Sequence, residues 1–95
     1  MSAYLIGQIN IINEEPYKEY VKLTSPIIKK YNGEFLVRGG KFKKMLGKWN
    51  YARTVVIKFP SYDNAMDWYN SEEYRPVRKI REDNSQGNII IIEGA

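Results

Sequence analysis

The side chains available for chemistry are few in kind, because the sequence contains neither cysteine nor histidine. Thiol nucleophiles, disulfides, thiolate or imidazole metal ligands and histidine-containing triads are therefore excluded. The sequence also lacks a glycine-rich phosphate loop, a nucleophile elbow and a metal-binding motif. We expect no metal and no cofactor, and we assign no catalytic residue. Any catalysis would depend on tyrosine, arginine, lysine or carboxylate groups.

Arg38 is the first candidate ligand-binding residue. It precedes Gly39 and Gly40, which places a cation beside a backbone that a ligand can approach closely. Such a guanidinium could bind a carboxylate, an enolate or a phosphate. The alternative is a structural ion pair with an acid on a neighbouring element. Arg53 begins a later strand and could face either the same pocket or solvent.

Aromatic side chains form the second candidate group, namely Tyr17, Trp68, Tyr69 and Tyr74. A tyrosine hydroxyl beside an arginine could orient or protonate an enolate-like intermediate. Trp68 and Tyr69 are adjacent on a predicted helix, so one should face the sheet and the other should lie to the side. The alternative is that these residues fill the core and satisfy their hydroxyls at its rim.

The predicted elements alternate in a regular order along the chain. Asn13 and Pro16 are typical of a helix start, and Tyr17, Tyr20 and Tyr31 then share one helical face, which suggests a partly polar cavity. Alternation and β-branched residues predict strands over 3–12, 34–39, 53–59 and 89–93. Helices are predicted over 13–31 and from 62 to 84, interrupted near Ser71, with a turn at 86–88.

This β-α-β-β-α-β order predicts a ferredoxin-like α+β fold with a four-stranded antiparallel sheet. A chain of 95 residues suits one domain over 1–95. The strands carry apolar residues on both faces, although the helices can cover only one of them. We therefore expect two copies to pair into a dimeric α/β barrel; the alternative is a monomer with a partly exposed apolar sheet face.

The net charge of +4 comes from one segment, 41–48, which holds four lysines and no acid. The charge elsewhere is balanced, and the third strand lacks the aromatic platform of an RNA-binding sheet, so nucleic acid is disfavoured as a partner. The start of the sequence has no signal-peptide pattern, and no apolar run approaches the ~20 residues that span a membrane. We expect a cytoplasmic protein without membrane attachment.

The assembled pattern resembles the family known as domain of unknown function 1330, within the dimeric α/β-barrel superfamily. The most specific motifs are Arg-Gly-Gly at 38–40, Phe-Pro-Ser at 59–61 and Trp-Tyr-x-Ser-x-x-Tyr at 68–74. The resemblance covers nearly the whole chain and departs in the lysine-rich loop 41–52. It implies the fold and the dimer but no activity, while the wider superfamily includes cofactor-free monooxygenases, isomerases, dehydratases and stress-response proteins.

The leading hypothesis is a small-molecule-binding homodimer with a pocket between sheet and helices in each subunit. The candidate ligand-binding residues are Arg38, Tyr69, Tyr74, Tyr17, Trp68 and Arg53, and small organic anions are among the candidate ligands. A cofactor-free enzyme of the monooxygenase or isomerase type is one form of this hypothesis, and whether the protein is an enzyme stays open. The alternatives are a structural or regulatory dimer without ligand, or binding of an acidic partner through Lys41–Lys48.

Overall fold

The computed structural model describes residues 1–95 as one four-stranded sheet with all helices packed on one face. The elements, in chain order, are β1 (Ala3–Ile11), α1 (Glu14–Lys30), β2 (Glu34–Arg38), β3 (Arg53–Phe59), α2 (Tyr62–Tyr69), α3 (Arg75–Asn84) and β4 (Ser85–Glu93). The predicted order of elements is confirmed, with the second helical region divided into α2 and α3. None of the helices has the length and apolar composition needed to span a membrane.

The strands lie in the order β2-β3-β1-β4, and every neighbouring pair is antiparallel. This arrangement confirms the predicted α+β class and sheet. The prediction of a turn at 86–88 is wrong, because Gln86 and Asn88 belong to β4 and pair with Asn10 and Gln8 of β1. Gly87 permits this pairing, since a Cβ atom at that position would collide with the backbone of Gln8.

Local signals account for the helix boundaries. Ser61 caps α2 by accepting a hydrogen bond from the backbone N–H of Asn64 at 3.0 Å, and the Ser71 hydroxyl accepts one from Tyr74 at 3.2 Å just before α3. Asn13 stands at the cap position of α1, but its side chain donates instead to Asn84 Oδ1 at 3.0 Å. This bond ties the start of α1 to the end of α3.

Alternation along the strands divides the apolar side chains between two faces. Leu5, Ile57 and Phe59 point toward the helices and are buried there with Trp68 of α2. The opposite face of the sheet, which we call the open face, carries Tyr4, Ile6, Val56, Ile90 and Ile92. No element of the chain covers it.

Between β2 and β3 the chain has no regular secondary structure. This segment, the basic loop (39–52), is anchored at its end by Asn10, whose Oδ1 accepts a hydrogen bond from the backbone N–H of Ala52 at 2.7 Å. The apolar side chains of Met45 and Leu46 at its tip are almost fully exposed. Its lysines form no ion pair with any acidic residue of the chain.

Candidate functional site

A small cavity of about 40 Å³, which we call the inner cavity, lies between the sheet and the helices. Side chains from all three helices and all four strands line it, and twelve of its sixteen residues are hydrophobic. Its polar lining residues include Thr24 and the arginines Arg38, Arg53 and Arg81, and no aspartate or glutamate is among them. The cavity has room for a few water-sized groups, because one such group needs about 10–15 Å³.

Three residues that line the inner cavity each have a buried polar atom without a hydrogen-bond partner within the chain. These atoms are Thr24 Oγ1, Arg53 Nε and Trp68 Nε1, which come from α1, β3 and α2. Thr24 and Trp68 are only 2% and 1% exposed, respectively. A buried polar group without a partner costs about 1–3 kcal/mol, so three around one cavity mark a place where polar atoms from outside the chain would be stabilising.

A tyrosine pair closes one side of the inner cavity. The hydroxyls of Tyr20 and Tyr74 are 2.8 Å apart and share a hydrogen bond, and the Tyr74 ring stacks on Trp68 with a centroid distance of 4.3 Å. Burial, reinforced by the neighbouring Tyr20, raises the pKa of the Tyr74 hydroxyl far above its ordinary value. Burial also raises the pKa of Tyr17, with Tyr20 adding to the effect and Arg53 opposing it. Tyr17 and Tyr74 therefore remain neutral at physiological pH.

Arg81 is the most buried cation in the chain, with 6% of its surface exposed. Its Nη2 donates a hydrogen bond to the hydroxyl of Tyr69 at 3.0 Å, and its guanidinium lies 5.7 Å from the centre of the Tyr69 ring. Burial opposes the charge, but Tyr74, Tyr69 and Tyr20 outweigh burial and the pKa of Arg81 is raised. Arg81 therefore carries a permanent positive charge inside the protein.

A larger depression of about 590 Å³, which we call the outer cleft, adjoins the inner cavity. The two spaces share Ile9, Arg81 and Ile89 in their walls. The other residues of the outer cleft are Tyr51, Tyr69, Glu82, Ser85, Gln86 and Gly87. Arg81 thus stands between a small, mostly apolar cavity and a larger, partly polar cleft.

The structure brings most of the sequence candidates together. Five of the six line the inner cavity: Arg38, Arg53, Tyr17, Trp68 and Tyr74. The sixth, Tyr69, lies in the outer cleft, whereas Trp68 faces the sheet, as expected for neighbours on one helix. All five of these candidates are aromatic or arginine residues from distant parts of the sequence, which the fold alone brings together.

The two arginines of the sequence hypothesis have well-defined surroundings. Arg38 donates a hydrogen bond to Ser25 Oγ at 3.2 Å and lies 4.3 Å above the Phe35 ring, with no carboxylate in ion-pair range. The guanidinium of Arg53 packs on Gly39, where a Cβ atom would collide with it. The glycine after Arg38 therefore makes room for a second arginine of the same cavity.

Arg81 and Thr24, two polar residues that line the inner cavity, were not among the sequence candidates. Periodicity placed Arg81 on the inner line of the last helix, but nothing local distinguishes it from an exposed arginine. Thr24 likewise lies on the buried stripe of α1 without any motif around it. The available signal was a charged and a hydroxyl residue on otherwise apolar helical faces, which is a general indication of a polar cavity.

Comparison with protein families gave a match over residues 2–95 to the family described as domain of unknown function (DUF1330). The match covers nearly the entire chain and agrees with the resemblance seen in the sequence motifs. A search of curated proteins found no match.

Solved structures with the same fold come from several organisms. A protein of unknown function from Rhodopseudomonas palustris matches with a TM-score of 0.75 at 14% identity, covering 99% of this chain and 82% of its own. A hypothetical protein from Arabidopsis thaliana matches with a TM-score of 0.70 at 10% identity, over 98% of this chain and 88% of its own. SnoaB, a cofactor-independent oxygenase from Streptomyces nogalater, matches with a TM-score of 0.56 at 8% identity, over 99% and 93%. At these identities the likeness establishes the ferredoxin-like fold alone.

Proposed function

The chain belongs to the DUF1330 family, and we propose that it acts as a small-molecule-binding homodimer whose ligand lies between the sheet and the helices of each subunit. The observation that carries this proposal is that three residues lining one cavity, Thr24, Arg53 and Trp68, each have a buried polar atom without a partner. A ligand with oxygen or nitrogen acceptors would complete these hydrogen bonds. The outer cleft offers space for the rest of such a molecule.

The chemistry of the lining defines what kind of ligand the site accepts. Trp68 Nε1 and Arg53 Nε can only donate hydrogen bonds, so the ligand must present acceptor atoms to them. The rings of Tyr17, Trp68 and Tyr74 favour a flat apolar portion beside those acceptors. An outer cleft of about 590 Å³ falls within the range of about 300–1,000 Å³ typical of small-molecule sites.

The open face supports the homodimer. Its apolar side chains stand on adjacent strands, with Ile6 opposite Ile90 and Tyr4 opposite Ile92, so they form one contiguous patch. Large exposed apolar patches are rare in monomers and mark interaction surfaces. A second copy of the chain would bury this patch by placing one sheet against the other.

An enzymatic form of the proposal is a cofactor-free reaction on the bound molecule, of the monooxygenase or isomerase type. It is supported by the names of two fold neighbours, the oxygenase SnoaB and an antibiotic biosynthesis monooxygenase. The neutral hydroxyl of Tyr74 could donate a hydrogen bond to a developing oxyanion. This form of the proposal predicts that the protein chemically converts the molecule it binds.

Native mass spectrometry of protein taken directly from the expressing cells tests both parts of the proposal. We expect a species of twice the 11.2 kDa chain mass, carrying one additional small mass per subunit. A second measurement uses the tryptophan fluorescence of Trp49→Phe protein, in which Trp68 of the inner cavity is the only remaining tryptophan. Adding the identified molecule should change that fluorescence, because it binds beside the indole.

The possible outcomes separate the two claims. A monomer would contradict the homodimer. A dimer without added mass, whose Trp68 fluorescence stays constant across a panel of small oxygen-containing molecules, would contradict ligand binding and favour a structural or regulatory dimer. Binding of polyanions that disappears in Lys41→Gln/Lys43→Gln/Lys44→Gln protein would favour the basic loop as the functional surface, since its lysines form no ion pairs within the chain.

A further inference from the structure

We infer that the ligand is an organic carboxylate and that Arg81 binds its carboxylate group from the outer cleft. This inference rests on the proposed function, because it names the class of molecule that the same site takes. Arg81 is 6% exposed and lies in the walls of both the outer cleft and the inner cavity. Arg81 is the one cationic residue in the wall of the outer cleft.

The charge of Arg81 is poorly matched by the protein itself. Its hydrogen-bond partner is a neutral hydroxyl, that of Tyr69 at 3.0 Å. The nearest carboxylate oxygen, Glu82 Oε2, is 4.0 Å away on a side chain that is about half exposed and also faces Arg78 at 3.9 Å. A buried guanidinium is normally paired with an anion through short, often bidentate hydrogen bonds. A ligand carboxylate would provide that pairing.

The surroundings of Arg81 add positive charge rather than remove it. Arg53 from β3 and Arg38 from β2 line the adjoining inner cavity, and neither forms an ion pair. The helix side contributes the hydroxyls of Tyr17, Tyr20, Tyr69 and Tyr74 and, in the wall of the outer cleft, the single carboxylate of Glu82. The site therefore has an excess of positive charge that an anion would balance.

The position of Arg81 favours a monoanion over a phosphate dianion. Arg81 lies in the last turn of α3, where the carbonyl groups at the helix end carry partial negative charge. That end stabilises a cation and repels an anion in proportion to the charge of the anion, so a dianion is disfavoured more than a monoanion. Phosphate sites, by contrast, use the N–H groups of a helix start, and no helix begins at this cleft. A carboxylate matches both the single charge and the planar guanidinium.

The walls of the outer cleft indicate the shape of the acid. Ile9 and Ile89 are apolar and lie beside the Tyr51 ring, while Gly87 contributes no side chain. A flat apolar body would pack between these groups with its carboxylate toward Arg81. The Ser85 hydroxyl is not free to donate a hydrogen bond to the ligand carboxylate, because it already donates to the Arg81 carbonyl at 2.6 Å.

Fluorine NMR with para-fluorobenzoate and para-fluorobenzamide tests the inference. The two probes have nearly the same shape and differ in charge. We expect the benzoate to bind wild-type protein at least about tenfold more tightly than the benzamide. Arg81→Met should remove that preference, whereas Arg75→Met, on the exposed face of the same helix, should retain it. Tyr69→Phe keeps the positive charge of Arg81 but removes its hydrogen bond to Tyr69. This variant should weaken benzoate binding less than Arg81→Met does.

Each result bears on the inference. Equal binding of the two probes, or no binding of the benzoate, would overturn the carboxylate assignment but leave the added mass in native mass spectrometry as separate support for ligand binding. Displacement of benzoate by inorganic phosphate would transfer the assignment to phosphate. If Arg81→Met is unfolded by circular dichroism, Arg81→Lys, which keeps the charge and loses the planar fork, replaces it and should still weaken benzoate binding.

Discussion

The two faces of the sheet are built from the same kinds of residue but have different surroundings. On β4, Ile89 and Ile91 pack against the core on the helix side, whereas Ile90 is 52% exposed on the open face. Alternation along one strand therefore supplies apolar side chains equally to both sides. What distinguishes the faces is that the helices cover one of them, whereas no helix covers the other, which the basic loop contacts through Asn10. Burial is thus decided by the neighbours of the strand.

The polar residues of the two faces differ in a second way. On the helix side, Thr24, Arg53 and Trp68 line a small cavity, and each has a buried polar atom without a hydrogen-bond partner. On the open face, Asn10 uses its amide to hold the basic loop, accepting from Ala52 N–H at 2.7 Å. The helix side is thus suited to a small ligand, and the open face to a second protein surface. The following predictions test this division.

The largest effect on stability is expected on the helix side, at Trp68. Trp68→Ala would remove a side chain that is 1% exposed and contacts both Phe59 and Tyr74. Filled core positions of this kind lose about 3–5 kcal/mol in the free energy of unfolding on truncation to alanine. Urea unfolding followed by circular dichroism measures the loss.

Trp49→Ala provides the matched control, because Trp49 lies in the basic loop and is substantially exposed. Its loss should change the free energy of unfolding by no more than about 0.5 kcal/mol. Equal losses at the two tryptophans would mean that the loop contributes to the core, and the contrast between the packed helix side and the rest of the surface would fail.

Most of the fold was predictable because its signals are local. β3 was predicted over 53–59 and is observed over Arg53–Phe59, since a β-branched run has one interpretation. The start of β4 was missed for a physical reason. Gln86, Gly87 and Asn88 have the composition of a turn, but pairing with β1 holds them extended. Such pairing depends on a strand more than seventy residues away, so local composition cannot reveal it.

The site was predictable only in part, because its contacts are long-range. Arg38 and the tyrosines stand out as residue types, and they do line the inner cavity. The Tyr20–Tyr74 hydrogen bond joins residues separated by 54 positions, and no sequence spacing indicates it. Arg81 becomes distinctive only through its burial and its hydrogen bond to Tyr69, twelve residues earlier in the chain. The lack of a close acidic partner for Arg81 can be seen only in the folded chain.

A smaller effect, visible mainly in alkaline solution, is expected from Tyr74→Phe. The pKa of Tyr74 is raised by burial first and by Tyr20 second, from an ordinary value of 10.0. Above pH 10 the unfolded chain therefore releases this proton while the folded chain retains it, so stability falls as the pH rises. The wild type should lose up to about 1.4 kcal/mol per pH unit from this residue, and Tyr74→Phe should lose correspondingly less.

Tyr20→Phe is the control for that measurement. It removes the same hydrogen bond, which is worth about 0.5–1.5 kcal/mol at neutral pH, but leaves the Tyr74 hydroxyl buried. Urea unfolding at neutral pH and near pH 11 should thus show a similar neutral loss for both variants and a shallower alkaline loss for Tyr74→Phe alone. Identical pH profiles for the two variants would place the Tyr74 hydroxyl in contact with solvent, contrary to the burial of this residue in the structure.

The smallest effect on a single chain is expected on the open face, from Ile90→Lys. Ile90 is 52% exposed and lies on an edge strand, where lysine is well tolerated, so the free energy of unfolding of one chain should change by less than about 1 kcal/mol. The same substitution would place a charge within the apolar patch that forms the proposed dimer contact, one in each subunit. Light scattering should then report the 11.2 kDa mass of one chain in place of twice that value. Ile12→Lys, equally exposed at 54% but outside the sheet, should remain dimeric. If Ile90→Lys remains a dimer as well, the subunits meet elsewhere, and the open face must be assigned to another partner.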